Sequence, residues 1–287
     1  MVVEHSNAKV AVIILHYDRS ELASECMESL THQTHTIDRL VLVDNGSGDC
    51  LAPATEKCGF QTHILRLEEN RGFSGGVNAG LRFLLQQGGF EYFWLLNNDT
   101  LCDPDVLENL VKMLDAHPKM GAVAGKLEER QSDGTCTYIT GGKFPYPALI
   151  PFVAHPGDPV DYLCGACLLI RGEALEQVGL LDEKYFFFFE DVDWCFRARR
   201  NAWTLGVSEK ALVRHRRSST IGSMHRLRAA YYRRSYIRFL RNYSRAPFLL
   251  ALVTTVFRLC VDGLGRRWEA CAGTWDGWRQ GWAEGKR

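Results

Sequence analysis

Several patterns that would assign a function at once are absent from this sequence of 287 residues. There is no G-x-x-x-x-G-K-[ST] phosphate loop and no G-x-G-x-x-G fingerprint, so P-loop chemistry and hydride transfer are not supported. A single C-x-x-C, at residues 164–167, has no second pair of Cys or His at zinc spacing, which argues against a structural zinc ion. Nothing repeats at a fixed period, and this excludes solenoids and propellers.

An apolar segment of the kind found in signal peptides is also missing near the N-terminus. Residues 1–9 are polar, and the ten cysteines are scattered through the chain. Disulfides are rare in a reducing cytoplasm, where cysteine behaves as a small apolar core residue. We therefore expect this region to stay in the cytoplasm, with its thiols in the core.

The formal net charge is zero, but the charges are unevenly distributed. Up to Val213 there are 18 Lys and Arg against 30 Asp and Glu, whereas residues 214–287 contain 16 against 4. This asymmetry predicts an anionic partner for the C-terminal part, either nucleic acid or membrane headgroups. The content of 46% hydrophobic and 24% charged residues is that of a globular protein with one large domain plus an appendage.

Apolar runs alternate with helical periodicity over most of the chain. Short apolar runs predict buried strands at residues 9–16, 40–43, 63–67, 90–96, 121–126, 164–170 and 211–213. Strand, helix and strand in succession imply right-handed parallel crossovers, so we predict an α/β fold with a mostly parallel central sheet. Polar clusters follow three of the early strands, at the carboxyl ends where such sheets bind ligands.

Two of these clusters suit a nucleotide diphosphate. The glycine-rich loop at residues 70–80 offers backbone amides at a helix start and one cation, Arg71, although it is also explained as a turn that begins a helix. The triplet Asn97-Asn98-Asp99 has one carboxylate, which is sufficient for Mg²⁺ when substrate phosphates supply further oxygens. Asn-Asn-Asp is equally good turn chemistry.

Residues 185–194, YFFFFEDVDW, place three carboxylates directly after an aromatic run. Burying an ionised carboxylate is costly unless it is paired, hydrogen-bonded or close to a metal, so this pattern favours a functional site. The alternative is a buried strand whose acids cap the next helix. We predict a strand at residues 185–189 that forms an apolar wall and excludes water.

In order and spacing these motifs resemble glycosyltransferase family 2, especially its bacterial rhamnosyltransferase-like branch. The resemblance covers residues 10–215. The motifs that carry it are Asp44-Asn45-Gly46-Ser47, Asn70-Arg71-Gly72-Phe73, Asn97-Asn98-Asp99-Thr100, Gly165-Ala166-Cys167-Leu168 and Phe189-Glu190-Asp191-Val192-Asp193. It implies a GT-A fold and an inverting transfer of a sugar from a nucleotide-sugar.

The resemblance also implies roles for individual residues. Asp191 of the Glu190-Asp191 pair matches the catalytic base. The metal-binding D-x-D triplet corresponds to residues 97–99, which leaves Asp99 as its only acid for Mg²⁺ or Mn²⁺. His215 matches a position that completes the metal shell in some relatives, and a solvated His among arginines is the alternative. The residues expected to contact the nucleotide-sugar are His16, Tyr17, Asp44, Asn45, Arg71, Gly72, Asn78, Asn97, Asn98, Gly165 and Ala166.

We place the GT-A domain at residues 1–222 and a helical, basic region at residues 223–287. Within that region residues 248–261 are apolar apart from Arg258, and fourteen residues are too few to span a bilayer, which takes about 20. The segment is either a helix buried against the domain or an interfacial helix, as its neighbouring tryptophans and arginines favour. We expect peripheral contact with the inner face of the cell membrane and no nucleic acid, since no nucleic-acid module is present.

The sequence thus predicts a metal-dependent, inverting hexosyltransferase of bacterial surface polysaccharide synthesis. Rhamnose is the candidate sugar, with a dTDP- or UDP-sugar as donor and a glycan or lipid-linked acceptor. A catalytically silent nucleotide-sugar-binding scaffold is the alternative, because Asn97 replaces the first acid of the metal triplet.

Overall fold

The computed structural model describes residues 8–48, 59–130, 134–145, 150–153, 159–216 and 225–284. The strands are β1 (Val10–His16), β2 (Arg39–Asp44), β3 (Thr62–Arg66), β4 (Tyr92–Asn97), β5 (Thr100–Cys102), β6 (Met120–Arg130), β7 (Cys136–Ile139), β8 (Gly141–Lys143), β9 (Phe152–Val153), β10 (Tyr162–Leu163), β11 (Cys167–Arg171) and β12 (Thr204–His215). The helices are α1 (Ser20–Leu30), α2 (Gly72–Gln87), α3 (Val106–Ala116), α4 (Gly172–Val178), α5 (Glu190–Arg200), α6 (His225–Tyr243), α7 (Pro247–Leu264) and α8 (Trp268–Ala283).

Nine of the described strands form one mixed, mostly parallel sheet, which confirms the predicted α/β architecture. Its order is β3-β2-β1-β4-β11-β6-β12-β5, with β7 beside β6. Strands β1 to β4 are parallel, β11 is antiparallel to both β4 and β6, and β12 is parallel to β6. The carboxyl ends of β1, β2 and β4 therefore meet at one edge of the sheet.

Helices cover both faces of this sheet, which explains why its inner strands are apolar at nearly every position. Alternate residues of β1 point to opposite sides. Val10, Val12 and Ile14 pack with residues of α1 and α3, whereas Ala11 and Ile13 pack with residues of α2. Each fully buried aliphatic side chain contributes about 1.5–3 kcal/mol, so the two cores hold the strand ends firmly in place.

A small second sheet, β10-β8-β9, follows β7 and precedes β11. In this part of the chain β6 pairs antiparallel with β7, and β8 pairs antiparallel with β9. Gly142 allows the strands to approach closely, because a Cβ at that position would lie 2.2 Å from the Phe152 oxygen.

The prediction of a strand at residues 185–189 is wrong. Phe188 and Phe189 both have φ of 68°, in the left-handed region, and α5 begins at Glu190 directly after them. A strand would send alternate rings to opposite faces. Instead Phe186, Phe188 and Phe189 all contact tyrosines of α6, which a bent backbone permits. The aromatic run is thus an interface with the C-terminal helices.

Those helices pack on one another and on the aromatic segment. Helix α8 lies very close to α6: a Cβ added to Gly273, Gly277 or Gly281 would lie within 3 Å of an α6 atom. Helix α7 has 18 residues, longer than the fourteen predicted, and it is not buried: its large apolar side chains are mostly exposed. By length and composition alone it is the one helix in the described ranges that is able to cross a membrane.

Candidate active site

The ends of β1 and β2 lie side by side, because their parallel register aligns His16 with Asp44. Both side chains are fully buried. The Asp44 carboxylate accepts hydrogen bonds from the Ser47 backbone N–H at 2.9 Å and from Arg66 Nε at 2.8 Å. An opposite charge and a backbone donor thus compensate the burial of this carboxylate and fix its orientation.

The chain turns sharply after His16. Asp18 has φ of 53°, its N–H donates to Ser47 Oγ at 3.0 Å, and its Oδ1 accepts the Gly48 N–H at 3.0 Å. This turn joins the ends of β1 and β2 and leaves the ring of Tyr17 exposed beside them. Tyr17 is therefore available to stack on a planar ligand.

Asn45 joins the end of β2 to the glycine-rich loop. Its Oδ1 accepts the Arg71 N–H at 3.0 Å, and its Nδ2 donates to Asn70 Oδ1 at 3.1 Å and to the Gly72 oxygen at 3.0 Å. Gly72 has φ of +71°, and a Cβ there would lie 2.3 Å from the Phe186 oxygen, so only glycine fits. The Arg71 side chain is exposed.

The first turn of α2 also holds the aromatic segment. The Phe73 N–H donates to the Phe186 oxygen at 2.7 Å, and Ser74 Oγ donates to the Tyr185 oxygen at 2.7 Å. The glycine-rich loop and the segment leading to the two acids are therefore one connected structure.

Asn78, predicted to contact the nucleotide, lies one turn further along α2 and is buried. Its Nδ2 donates to the Leu181 oxygen at 2.8 Å and to Glu183 Oε1 at 3.0 Å, and its Oδ1 accepts the Leu181 N–H at 3.1 Å. These bonds use both ends of the amide, so the structure places Asn78 as a link between α2 and residues 181–183.

The end of β4 contacts two other predicted clusters. The Asn97 N–H donates to the Ala166 oxygen at 3.0 Å, which joins the triplet to the loop before β11. Asn98 Nδ2 lies 3.3 Å from His16 Nδ1, which joins it to the end of β1. The triplet 97–99 is thus in direct contact with two other groups of predicted site residues.

Asp99 and His215 form the candidate metal centre. His215 Nε2 lies 3.2 Å from Asp99 Oδ1, and His215 Nδ1 lies 2.9 Å from Glu129 Oε1. Burial alone would lower the pKa of His215, but the hydrogen bonds to Asp99 and Glu129 outweigh it and raise the pKa to about 9. Of the two interpretations of His215, the structure disfavours a solvated side chain.

This pair has the chemistry of a divalent-cation site with an incomplete shell. A metal-binding histidine typically donates its second ring N–H to a carboxylate, which fixes the ring and its tautomer, and Glu129 has that position relative to His215. Among the described residues no three His, Cys, Asp or Glu side chains converge on one point. Phosphate oxygens of a substrate would therefore have to complete the coordination.

Glu190 and Asp191 are adjacent acids that begin α5, of which Glu190 is buried and Asp191 is half-buried. Asp191 Oδ2 accepts the Gly165 N–H at 2.9 Å, and its Oδ1 accepts the Val192 N–H at 2.8 Å. Burial and the neighbouring Asp191 charge raise the pKa of Glu190 well above its ordinary value. Burial also raises the pKa of Asp191, although the hydrogen bonds from Gly165 and Val192 oppose that shift.

Two further residues of this segment make structural contacts. Asp193 is fully buried and accepts hydrogen bonds from Arg197 Nε at 2.8 Å and from the Tyr243 hydroxyl at 2.8 Å, which ties α5 to α6. Trp194 is also fully buried and donates to the Gly179 oxygen at 2.9 Å.

Sequence reasoning missed two charged residues of the site. Glu129 orients His215, and Arg66 pairs with Asp44. Each lies at the carboxyl end of a strand of the parallel set, β6 or β3, where ligand-facing residues collect. Their position at the end of a predicted strand was the sequence feature from which a role in the site could have been inferred.

The fold and the connected strand ends define the class of protein as a glycosyltransferase of the GT-A type. The chain belongs to glycosyltransferase family 2: the family model described as "Glycosyl transferase family 2" matches residues 11–179.

Named relatives agree with this assignment. The chain is 28% identical over 207 residues to the low-salt glycan biosynthesis hexosyltransferase Agl10 of Haloferax volcanii, an alignment that covers 69% of this chain and 64% of the relative. The chain thus spans slightly less than two thirds of that relative's length. It is 26% identical over 269 residues to the N-acetylglucosaminyl-diphospho-decaprenol L-rhamnosyltransferase of Mycobacterium tuberculosis, covering 82% of this chain and 86% of the relative.

A solved structure supports the fold. The mannosyltransferase PcManGT from Pyrobaculum calidifontis, in complex with GDP-Man and Mn²⁺, superposes with a TM-score of 0.62 at 17% identity. The superposition covers 98% of this chain and 77% of that one.

Proposed function

We propose that this protein transfers a sugar, with inversion, from a nucleotide-sugar to a hydroxyl group of a glycan or lipid-linked acceptor. One observation carries the proposal: all five sequence motifs are joined to a neighbouring motif or strand end. Asn45 contacts the glycine-rich loop, Gly72 and Phe73 contact Phe186, and Gly165 contacts Asp191. The third motif is joined through Asn97, whose N–H bonds to Ala166 of the fourth.

The nucleotide half of the donor would lie over the ends of β1 and β2. His16 and Asp44 would lie buried beneath this region, and Tyr17, which is exposed beside them, would stack on a base. Asn45 holds Gly72 and the backbone of Arg71, whose exposed guanidinium would pair with a diphosphate. Asn98, Gly165 and Ala166 would border the donor sugar, and Asn78 would support the loop from α2.

Asp99 and His215 would hold Mg²⁺ or Mn²⁺, with Glu129 fixing the histidine ring. The donor set of one carboxylate oxygen and one imidazole nitrogen at 3.2 Å fits a site that borrows phosphate oxygens. When bound, the ion would neutralise charge that develops on the leaving diphosphate. Arg71 would supply a second positive charge from the loop.

Asp191 would act as the general base. The acceptor oxygen attacks the anomeric carbon, the bond from that carbon to the diphosphate oxygen breaks, and the acceptor proton moves to the Asp191 carboxylate. The Gly165 N–H bond holds that carboxylate in one orientation. A pKa raised by burial brings the carboxylate closer to the operating pH, which favours proton abstraction.

Rhamnose is the proposed sugar, with a dTDP- or UDP-sugar as donor and bacterial surface polysaccharide synthesis as the process. The rhamnosyltransferase among the relatives supports this choice, at 26% identity. We further propose that residues 1–222 form the catalytic domain and that residues 223–287 bring it to the inner face of the cell membrane. The basic composition of the second region supports this division.

A panel of nucleotide-sugars tests the proposal. It also separates sugar transfer from the alternative of a catalytically silent scaffold, which is motivated by Asn97 at the position of the first metal-binding acid. Thermal shift finds the donors that bind, because a ligand of the native state raises stability. Release of nucleotide diphosphate then reports turnover. We expect dTDP-rhamnose both to bind and to be consumed when Mg²⁺ or Mn²⁺ is present. Binding of donors without turnover, across lipid-linked acceptors, would favour the scaffold.

A further inference from the structure

Helix α7 presents an apolar face to the outside of the molecule. Its exposed positions recur with helical spacing, and all of them except Arg258, which pairs with Asp262, are apolar. Phe257 is 69% exposed and Leu264 is 88% exposed. The inner face instead buries small or polar residues, Ala251, Thr255 and Asp262. The exposed stripe consists of Phe248, Leu249, Leu252, Val253, Val256, Phe257, Cys260, Val261 and Leu264.

This polarity is the reverse of an ordinary surface helix, which directs its apolar stripe to the core. A continuous exposed apolar stripe of this length marks an interaction surface.

Specific contacts hold α7 in this orientation. The buried Asp262 forms ion pairs with Arg258 at 2.6 Å and with Arg267 at 2.9 Å. Arg233 of α6 donates to Thr254 Oγ1 at 3.0 Å. The fold therefore fixes which side of α7 faces outwards.

The packing of α8 excludes a membrane-spanning α7. Gly273 lies against Arg226, Gly277 against Ala230 and Gly281 against Ile237, so α8 runs in the same direction as α6 and directly along it. Helix α6 in turn contacts the catalytic part through its buried ion pair between Arg238 and Asp182 at 3.0 Å. A spanning α7 would place α8 on the opposite side of the bilayer from α6, so both ends of α7 must stay on one side.

Charge and aromatic side chains next to the stripe match a lipid surface. The region 225–284 contains eleven arginines against four acids, a balance that attracts anionic headgroups. Trp268 and Trp275, which follow α7, are 67% and 54% exposed. Exposed tryptophans beside arginines are characteristic of the headgroup depth of a bilayer.

We propose that α7 is an in-plane membrane anchor, which lies along the surface of an anionic phospholipid bilayer with its apolar stripe among the upper acyl chains. This deepens the proposed function, since it names the element that would bring the enzyme to a lipid-linked acceptor. It assigns the contact with the acyl chains to α7. Trp268 and Trp275 of α8 would lie at the depth of the headgroups, whereas Trp278 and Trp282 of α8 pack with Phe248.

Vesicle flotation of the full chain tests the anchor without donor or acceptor, so its failure leaves the proposed sugar transfer untouched. The probe is a vesicle of phosphatidylcholine and phosphatidylglycerol. We expect the parent to float with the vesicles and Phe257→Glu to lose binding by about tenfold or more, because a charge replaces a buried ring in the interface. Phe152→Glu is the matched control: it makes the same change at a ring that is 54% exposed on β9, and it should float like the parent.

Two outcomes would overturn the proposal. Equal flotation of Phe257→Glu and the parent would show that the stripe does not enter the bilayer. A lipid-free parent that elutes as a dimer, which Phe257→Glu converts to a monomer and which does not float, would assign the stripe to a second copy of the chain.

Cysteine labelling tests the in-plane orientation. Ala246→Cys and Gly265→Cys place a thiol at each end of α7. Each variant and the parent are bound to vesicles and treated with a membrane-impermeant maleimide, and the mass added to each variant is compared with the mass added to the parent. We expect both thiols to react from outside the vesicle. Protection of one end only would indicate a spanning helix and contradict the proposal.

Discussion

Glu190 and Asp191 are neighbouring carboxylates that the structure treats differently. Asp191 has two backbone donors, whereas Glu190 Oε2 is buried with no hydrogen-bond partner among the described residues. An unsatisfied buried carboxylate favours its neutral form. Position 190 should therefore resist ionisation, while position 191 is arranged to hold a charge.

This difference predicts a pH-dependent effect of Glu190→Gln. A carboxyl with a raised folded-state pKa contributes most stability below its unfolded pKa and loses that contribution as pH rises through the folded value. Glutamine has no such loss, so the melting temperature of the variant relative to the parent should rise by a few degrees, roughly 2–4 °C per kcal/mol, between acidic and neutral pH. A pH-independent difference would contradict the proposed environment of Glu190.

The contact of Glu129 with His215 predicts that Glu129 affects metal affinity without being a ligand of the ion. Loss of such a supporting carboxylate costs about 10–100-fold in affinity, so Glu129→Ala should weaken Mn²⁺ binding by that factor in calorimetry with a nucleoside diphosphate present. Glu128→Ala is the matched control, because it removes the same charge from the adjacent position of β6. If both variants bind Mn²⁺ like the parent, His215 does not depend on Glu129.

At the scale of elements, the C-terminal helices show how closely backbones approach when side chains allow it. Gly277 of α8 has no space for a Cβ, which would lie 2.3 Å from the Ala230 oxygen of α6. Gly263 of α7 has open space around the same position. Alanine substitution at these two positions therefore distinguishes the effect of helix packing on stability from the effect of helix propensity.

We expect opposite effects of alanine at these two sites. Gly263→Ala should stabilise the protein by up to about 1 kcal/mol, because alanine is the better helix former. Gly277→Ala should destabilise it by about 1–3 kcal/mol, because the added methyl forces the helices apart. Urea unfolding of both variants measures the difference, and equal stability changes would show that α6 and α8 are not in close contact.

The same helices show where sequence patterns fail. The apolar run in the sequence ends at Val261, yet α7 continues to Leu264. The next residue, Asp262, stays in the helix because it is buried as the partner of Arg258 and Arg267. The aromatic run at residues 185–189 has the composition of a strand. The segment bends because it packs against α6, which lies about forty residues further along the chain. A local sequence pattern carries no information about that contact.

For the whole molecule, the alternation of apolar runs and helical periodicity was sufficient to predict the parallel sheet and the polar strand ends. Local pattern is informative there because β1, β2 and β4 are buried on both faces and end in turn residues. The contribution of Glu129 was not predictable in the same way. Its contact with His215 joins residues 86 positions apart, and register alone brings them together.

The assignment of Asp191 as the base is the central claim, and one measurement tests it most directly. Turnover of the donor selected from the nucleotide-sugar panel is compared for the parent and Asp191→Asn, with donor affinity and melting temperature measured on the same samples. Asparagine keeps an oxygen for the Gly165 N–H but cannot accept the proton. We predict a fall in kcat of about 10²–10⁴-fold with donor affinity and melting temperature unchanged. Full turnover by a stably folded Asp191→Asn would contradict the account.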